Sequence, residues 1–555
     1  MSVISNLSQI IVLRQGSFLL VLLLDHNMGA PKRWQILSPA AQNRTLLHLA
    51  TTEGFQIDRR RQRTFIVGID ISIKIEAFVA TLTAAHVYHP GRAGQKLVLE
   101  KLYYYLHNLC LAPATYVCCF DGDGRPAVKR GTRVIHRPTP LVEDLKTMIR
   151  SFGFFVHEAP GEAEAELAQL NANGTIDAIL TEDSDAFVFG ALCVIRTVGP
   201  SVEEESLVYT LESIAKLGLD TDGMFLCALL LGGDYGAGLQ GAGPTIAQAL
   251  AAQGFGRSLA RILTSFDGFE LNKHLASWRQ DLRQELRTNS SGQLERRQPM
   301  LASNIPDDFP NVAVARLYLR PLTSMSPGFT GRPPDSSSWK TTSPNIPELS
   351  RFCSTHFGWT GEDLLKKFNS NLWPGIAFKL ISSPHVLYDH RTKRFASPYT
   401  NATLLKIIKH SSTTGFDVHR VRVSTDNFVA LAQLDSVGVP AEIKLISVPQ
   451  AILAVAMRDV SLISTDLAQD LEDSQHEGAK STGDSASSLD DATASGAAIN
   501  VTNSNNGNLI IDISDSDDEE QSTTGVIDVS GSDNEDFISA HRALAAGGLV
   551  DLSDL

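Results

Sequence analysis

The stretch HEAPGEAEAELAQL, residues 157–170, sets carboxylates at Glu162, Glu164 and Glu166 directly after a Pro-Gly pair. Two explanations compete. Acidic residues in a first helical turn complement its unpaired N–H groups and positive dipole end. Carboxylates packed this densely also repel one another unless a multivalent cation lies between them. Locally a helix start suffices. The balance shifts once Asp70, Asp121, Asp183, Asp185 and Asp234 are considered with the glutamates. Buried carboxylates are costly unless paired or metal-bound, and this part of the chain has few basic residues at comparable positions. The set Asp70, Asp121, Glu162, Glu164, Asp183, Asp185 and Asp234 suits a pair of Mg2+ ions, which prefer carboxylate and water oxygens and often bind with substrate phosphates. Two such ions about 4 Å apart activate a water and stabilise the leaving oxygen in phosphodiester hydrolysis. No Ser/His/Asp elbow and no Walker-type loop competes for this assignment.

For these acids to meet, the chain must deliver them to one edge. Short β-rich runs (64–70, 114–121, 154–159, 177–185, 193–198 and 207–211) alternate with helical patterns such as KLVLEKLYYYLHNLCL and LVEDLKTMIRSFG. This alternation predicts an α/β domain with a mostly parallel sheet. The first, second and fourth runs end in Asp70, in Asp121, and in Asp183 with Asp185. Open parallel sheets bind ligands beyond the carboxyl ends of their strands. Residues 222–300 read as largely helical, with the glycine-rich LLLGGDYGAGLQGAGPTIAQAL joining two helices after Asp234. Residues 301–349 read as a Pro/Ser-rich connection, a helical stretch resumes at 351–368, and GIAFKLI, HRVRVS and EIKLISV suggest a small mixed or β domain.

The net charge of −14 conceals an uneven distribution. Residues 465–555 hold 20 acidic and two basic residues, whereas residues 1–464 hold 46 basic and 42 acidic. A mildly basic body with an acidic tail is compatible with a nucleic-acid partner. The six cysteines show no C-x-x-C pairing and sit mostly in apolar runs, which points to a reducing compartment and away from a zinc module. SFLLVLLL, residues 17–24, imitates a signal-peptide core but is too short to span a bilayer, so no membrane role is expected. The tail is expected to be disordered. It repeats an aliphatic–Asp–Ser pattern at 509–520, 525–536 and 548–555. Short apolar segments beside charges suit strand addition to a partner's sheet edge, and these resemble SUMO-interaction motifs, with adjacent serines open to phosphorylation.

HEAPGEAEAELAQLNANGTIDAILTEDSDAFVFG (157–190) resembles the internal signature of the XPG/flap-endonuclease superfamily, and 229–250 resembles its aspartate with a helix–two-turn–helix. IVGIDISI (66–73), CCFDGDGRPAVKRG (118–131) and MGAPKRWQILSPA (28–40) are similar to its N-terminal region. The wording EAPGEAEA is most similar to the fungal Holliday-junction-resolvase branch. The resemblance implies a PIN-like nuclease fold acting on branched DNA, whether 5′ flaps or four-way junctions, in a nuclear setting, with two copies assembling on a junction. It implies two Mg2+ ions, replaceable by Mn2+, on Asp70, Asp121, Glu162, Glu164, Asp183, Asp185 and Asp234, and K+ at the glycine-rich turn. Lys129 matches a lysine that polarises the scissile phosphate. Arg130, Arg133 and Arg137 on the same segment, and Gly238, Gly241 and Gly243 in the turn, are expected at DNA phosphates. Glu166 matches no ligand and is expected to be a solvated helix residue. DRRRQR (58–63) reads as a phosphate contact, an import signal or a solvated loop.

The expected organisation is an N-terminal extension at 1–27, a nuclease core at 28–220, its helical part at 221–370, a chromodomain-like or mixed β domain at 371–464, and the tail at 465–555. Three features depart from the family pattern. Only 41 positions separate Asp121 from Glu162, so the gateway at 124–138 is short. Lys74 stands where the family often has a large aromatic, a change that is tolerable if its ammonium can reach solvent. Residues 1–27 precede the usual opening, so Met28 reads as the true start. The alternatives left open are a catalytically weak DNA or chromatin adaptor and a PIN-type single-strand RNase.

Overall fold

In the computed structural model the alternating pattern closes into a seven-stranded sheet. The structure describes residues 31–457 except 58–63, 88–90, 127, 130–131, 134–139, 198–200, 332, 341, 384, 399, 412–415 and 433–443, and the short strands 10–15, 18–23, 502–503 and 509–511. The strands are β1 (Gln42–Thr45), β2 (Phe65–Asp70), β3 (Ala114–Phe120), a small hairpin of β4 (Val128–Lys129) and β5 (Thr132–Arg133), then β6 (Phe155–Glu158), β7 (Ala178–Leu180), β8 (Cys193–Thr197) and β9 (Glu205–Thr210). Their order across the sheet is β1-β9-β8-β7-β2-β3-β6. From β8 to β6 every pairing is parallel, while β9 pairs antiparallel with both β8 and β1. β1, QNRT, carries no apolar residue and pairs only at the sheet margin, which is why periodicity did not reveal it.

Both faces of the central strands are buried, as parallel sheets require. Along β2, Phe65, Val67 and Ile69 enter one core while Ile66 enters the other. Along β3, Tyr116 and Cys118 face the first core and Val117 and Cys119 the second. The first core is covered by α2 (Ile71–Ala84), α3 (Arg92–Leu109) and α4 (Pro140–Ser151). The second is covered by α1 (Pro31–Leu37), α5 (Ala163–Ala172), α6 (Thr221–Leu231) and α7 (Pro244–Ala252). All six cysteines are free thiols, five of them buried, consistent with their reading as small core residues.

Two expectations are corrected. The Pro/Ser-rich connection contains a helix, α8 (Val312–Leu319), capped by the Asn311 side chain accepting the Val314 N–H at 3.2 Å. It also holds the start of α9 (Ile346–Phe357). GIAFKLI is not a strand but lies within α10 (Trp373–Ile381), where Trp373, Ile376, Phe378, Leu380 and Ile381 are all buried. A short run that is apolar on every side does not separate a buried helix from a strand by periodicity. HRVRVS and EIKLISV do supply strands of a second, antiparallel sheet: β10 (Leu387–Asp389), β11 (Arg394–Ala396), β12 (Asn401–Ser411), β13 (Asp417–Val423) and β14 (Lys444–Pro449), in that order. Its buried residues join the first core. No helix among the described residues is long and apolar enough to cross a membrane. Most of the acidic tail, the segment 58–63 and much of 1–27 lie outside the described residues.

Candidate active site

Each acid is set by the element it terminates or starts. Asp70 ends β2 and caps α2, its carboxylate accepting the Ile73 N–H at 3.1 Å. Asp121 follows β3; one oxygen accepts the Ala163 N–H at 2.9 Å and the other pairs with Arg125 at 2.7 Å. Because β2 and β3 are paired in parallel up to Asp70 and Cys119, these two aspartates emerge at the same edge. Glu162 is the N-cap residue of α5 and Glu164 lies in its first turn, so both face that edge. Asp183 follows β7 and accepts the Asp185 N–H at 2.9 Å, a short turn that fixes the pair. Asp234 lies just beyond α6. Except for Asp121, all seven are buried.

Six of them share one electrostatic neighbourhood. Asp70 feels Asp121 and Asp183; Glu164 feels Asp183, Glu162 and Asp234. At its centre is the Lys129 ammonium, which pairs with Glu162 and lies 3.3 Å from Glu164 and 3.2 Å from Asp234. Burial alone would lower the lysine pKa, but Glu164, Glu162 and Asp234 outweigh it and push it above the usual lysine range. Lys129 comes from the β4–β5 hairpin, which lies within the short gateway. Arg130 and Arg137 lie outside the described residues, and Arg133 is described only as backbone in β5.

Asp185 differs from the other six. Its buried carboxylate pairs with buried Arg33, whose Nε also donates to Ser184 Oγ at 3.0 Å. Sequence reasoning missed Arg33 and Arg125 as partners of the acids. Arg33 is about 150 residues away in sequence, and inside MGAPKRWQIL it looks like any solvated basic residue; Arg125 stood in plain view, four residues after Asp121. Glu166 also requires correction, since it is fully buried. Its carboxylate accepts from the Ser324 N–H at 2.7 Å, the Ser324 hydroxyl at 2.6 Å and His157 Nε2 at 2.9 Å. The signal was present in its neighbours: Ala163, Ala165, Leu167, Ala168 and Leu170 bury every side of α5 and leave no wet face. Lys74 is half-buried, with its ammonium 5.0 Å from the Tyr105 ring centroid and its pKa lowered by burial.

The donor set fits divalent cations. Among the described residues no three acidic, histidine or cysteine side chains are disposed as a ready-made ion cage; the ammonium stands among three of the acids instead. A buried oxygen of Glu164 and one of Asp185 lack hydrogen-bond partners, which is costly unless a cation meets them. Seven carboxylates stand against only Arg33, Arg125 and Lys129 in these ion pairs, so acids outnumber their basic partners. Burial, reinforced by neighbouring acids, holds Asp70 and Glu164 well above the ordinary carboxylate range. A carboxyl with a raised folded-state pKa binds its proton more tightly than the unfolded chain does. Its contribution to stability is therefore lost as pH rises from about 4 toward the raised value. In EDTA the melting temperature is expected to fall over that rise, and Mg2+ to flatten the profile by replacing the protons. Thermal melts across pH with EDTA and with Mg2+ test this; superimposable profiles would contradict it.

After Asp234 the backbone turns through Gly238, at φ +79°, and Gly241, at φ +92°, before Gly243 caps α7. Gly238 packs so closely on the end of α6 that a Cβ there would lie 2.5 Å from the Gly232 nitrogen. The first N–H groups of α7, behind Pro244, have no intrahelical partner and are free to meet an anion. The three glycines thus lie together in the turn beyond Asp234.

Residues 153–234 match the XPG I-region family. The flap endonuclease GEN-like 1 of Arabidopsis thaliana is 39% identical over 121 residues, covering 21% of this chain and 20% of the relative. Among solved structures, the Holliday junction-resolving enzyme GEN1 in complex with product DNA and Mg2+ ion is 26% identical, covers 80% of this chain and 99% of that one, and has a TM-score of 0.53. The eukaryotic junction-resolving enzyme GEN-1 binding with potassium is likewise 26% identical, covering 81% and 100%, with a TM-score of 0.56. Fold and I-region together make the chain similar to nucleases of the XPG/flap-endonuclease class. Within it, the likeness extends over most of the chain to the junction-resolving branch. The matched stretch spans about a fifth of the length of the curated relatives.

Proposed function

We propose that this chain is a Mg2+-dependent, structure-selective DNA endonuclease that hydrolyses phosphodiesters in branched DNA, 5′ flaps or four-way junctions, in nuclear repair and recombination. The observation that carries the reading is six acids from distant segments sharing one electrostatic neighbourhood at the carboxyl edge of a parallel sheet, three of them around one ammonium. Asp70, Asp121, Glu162, Glu164, Asp183 and Asp234 would hold the ions, with Asp185 held by Arg33 at the margin of the set. When bound, two Mg2+ ions, or Mn2+ in their place, supply Lewis acidity and a water of lowered pKa. The side chains of this protein do the rest. Lys129 leaves the carboxylates for a phosphate oxygen and stabilises the negative charge that develops on the phosphoryl oxygens. The N–H groups at the start of α7 and the turn at Gly238, Gly241 and Gly243 hold a backbone phosphate of the duplex, and carbonyl oxygens of the same turn would take K+. Arg130, Arg133 and Arg137 add affinity without reading sequence.

Cleavage of a panel of branched DNAs with Mg2+ and with EDTA tests the reading. Flaps or junctions are expected to be cut only with the metal, while single-stranded RNA is left intact. No cleavage of any DNA would favour an adaptor, and cleavage of RNA alone a PIN-type RNase. The short gateway is the feature that favours the adaptor.

The tail is proposed to recruit SUMO or a SUMO-modified protein through 509–520, 525–536 and 548–555. In support, Leu509–Ile511 lies as an added strand on β12, with Ile510 opposite Ile408, the backbone geometry that a partner's sheet edge would offer. Deleting 509–555 is expected to leave cleavage of naked junction DNA unchanged and to abolish retention on immobilised SUMO. Retention of the truncated chain would sink the tail assignment.

A further inference from the structure

Glu166 is the one buried carboxylate on α5 that the reaction does not use. Burying a carboxylate carries a large desolvation penalty unless several donors meet it. Here three do, and they hold Glu166 below the ordinary carboxylate range despite its burial. Two of the three come from Ser324, 158 residues away. Ser324 belongs to a strap, residues 321–326, that is tied to itself: Ser326 Oγ donates to the Pro321 carbonyl at 2.9 Å and accepts the Thr323 N–H at 2.8 Å.

The strap lies on the loops that carry two of the acids. Leu322 packs against Gly124 and Gly161, and a Cβ at Gly161 would be 2.6 Å from the Leu322 carbonyl oxygen. Beneath it the loops are cross-tied, Gly122 N–H to the Gly161 carbonyl at 2.7 Å and Gly124 N–H to the Pro160 carbonyl at 2.9 Å. One loop begins at Asp121 and the other ends at Glu162. From Glu166 a continuous chain of contacts thus runs through Ser324 and Leu322 to the backbone that sets Asp121 and Glu162.

We propose that Glu166 is a positioning residue that clamps the 321–326 strap over these two loops and so fixes the separation of Asp121 and Glu162. The proposal deepens the nuclease reading and rests on it for its catalytic consequence. Its structural content is separate: Glu166 should protect the Gly122 and Gly124 amides although it touches neither.

The test compares Glu166→Gln, Ser324→Ala, their double variant and Ser324→Thr. Hydrogen–deuterium exchange over 119–126 and 158–164 is measured alongside kcat and KM on a four-way junction and a Mg2+ titration of rate. Glu166→Gln is expected to speed exchange of the cross-tied amides about tenfold and lower kcat about tenfold through misplacement of the acids. KM for DNA stays unchanged and more Mg2+ is needed for half-maximal rate. Ser324→Ala gives the same signature, the double variant is no worse than either single one, and Ser324→Thr, which keeps hydroxyl and N–H, restores both readouts. Unchanged exchange at 119–126 in both single variants overturns the clamp, as does a loss of melting temperature with kcat and exchange at wild-type values. If the wild type cuts no DNA, the nuclease reading falls, and the exchange data still decide the clamp.

Discussion

Asp183→Asn and Glu162→Gln each lower the single-turnover cleavage rate by at least about 10³-fold, while affinity for the same DNA stays within about twofold. The expectation rests on what the substitutions preserve. Asp183 accepts the Asp185 N–H at 2.9 Å, and an asparagine oxygen accepts it equally well. Glu162 accepts the Tyr235 hydroxyl, which a glutamine oxygen also does. Both changes keep shape and hydrogen bonds and remove one negative charge. In the metal reading that charge is what holds the ions, whereas DNA affinity comes from phosphate contacts elsewhere. A labelled junction cut in Mg2+, with binding measured by anisotropy in Ca2+, separates the two quantities. Near-normal cleavage by either variant would remove that residue from the ion set, and by both would end the metal assignment. Parallel loss of binding and cleavage would point to damaged folding instead.

The acids were legible because their signal is local. An aspartate at the end of a β-rich run is placed by the strand itself, and the register of β2 with β3 carries Asp70 and Asp121 to one edge without further help. Glutamates after Pro-Gly are placed by the helix they start. Their neutralisation was less legible. Arg33 meets Asp185 from the far end of the chain, and nothing near either residue announces the pair. Arg125 and Lys129 sit in a segment whose path depends on the gateway length, so their approach to Asp121 and to Glu162 follows from loop closure rather than propensity. Glu166 was misread as solvated because, with no ligand role to match, a helical glutamate is expected to face water; but one full turn of α5 is surrounded by packed elements, and only the third glutamate meets Ser324. α10 was misread because a helix buried on every side loses the polar face that marks its period.

Lys129→Met is the change that separates an ion-pair lysine from one that keeps the place of a cation. Its ammonium is half-buried and answers three carboxylates at once. Removing one partner of a buried pair costs 3–5 kcal/mol when the remaining charge is fully desolvated; with the lysine side chain 26% exposed, about 2 kcal/mol is the expected loss in metal-free protein. Methionine keeps the aliphatic stem, so packing changes little and the loss reports charge. If divalent ions occupy the space between Glu162, Glu164 and Asp234 when bound, they satisfy the same carboxylates, and most of that loss returns at saturating Mg2+. Cleavage does not return: with no ammonium to meet the phosphate, kcat stays down by about 10²-fold at any Mg2+ concentration. Urea unfolding with EDTA and with Mg2+, set beside the Mg2+ dependence of the rate, reads both effects. A stability loss that Mg2+ leaves untouched would make Lys129 a structural partner of the acids and take it out of the reaction. A rate that recovers fully with Mg2+ would show that the ammonium only holds the site open for the ions, and the phosphate contact would have to be sought on the neighbouring arginines.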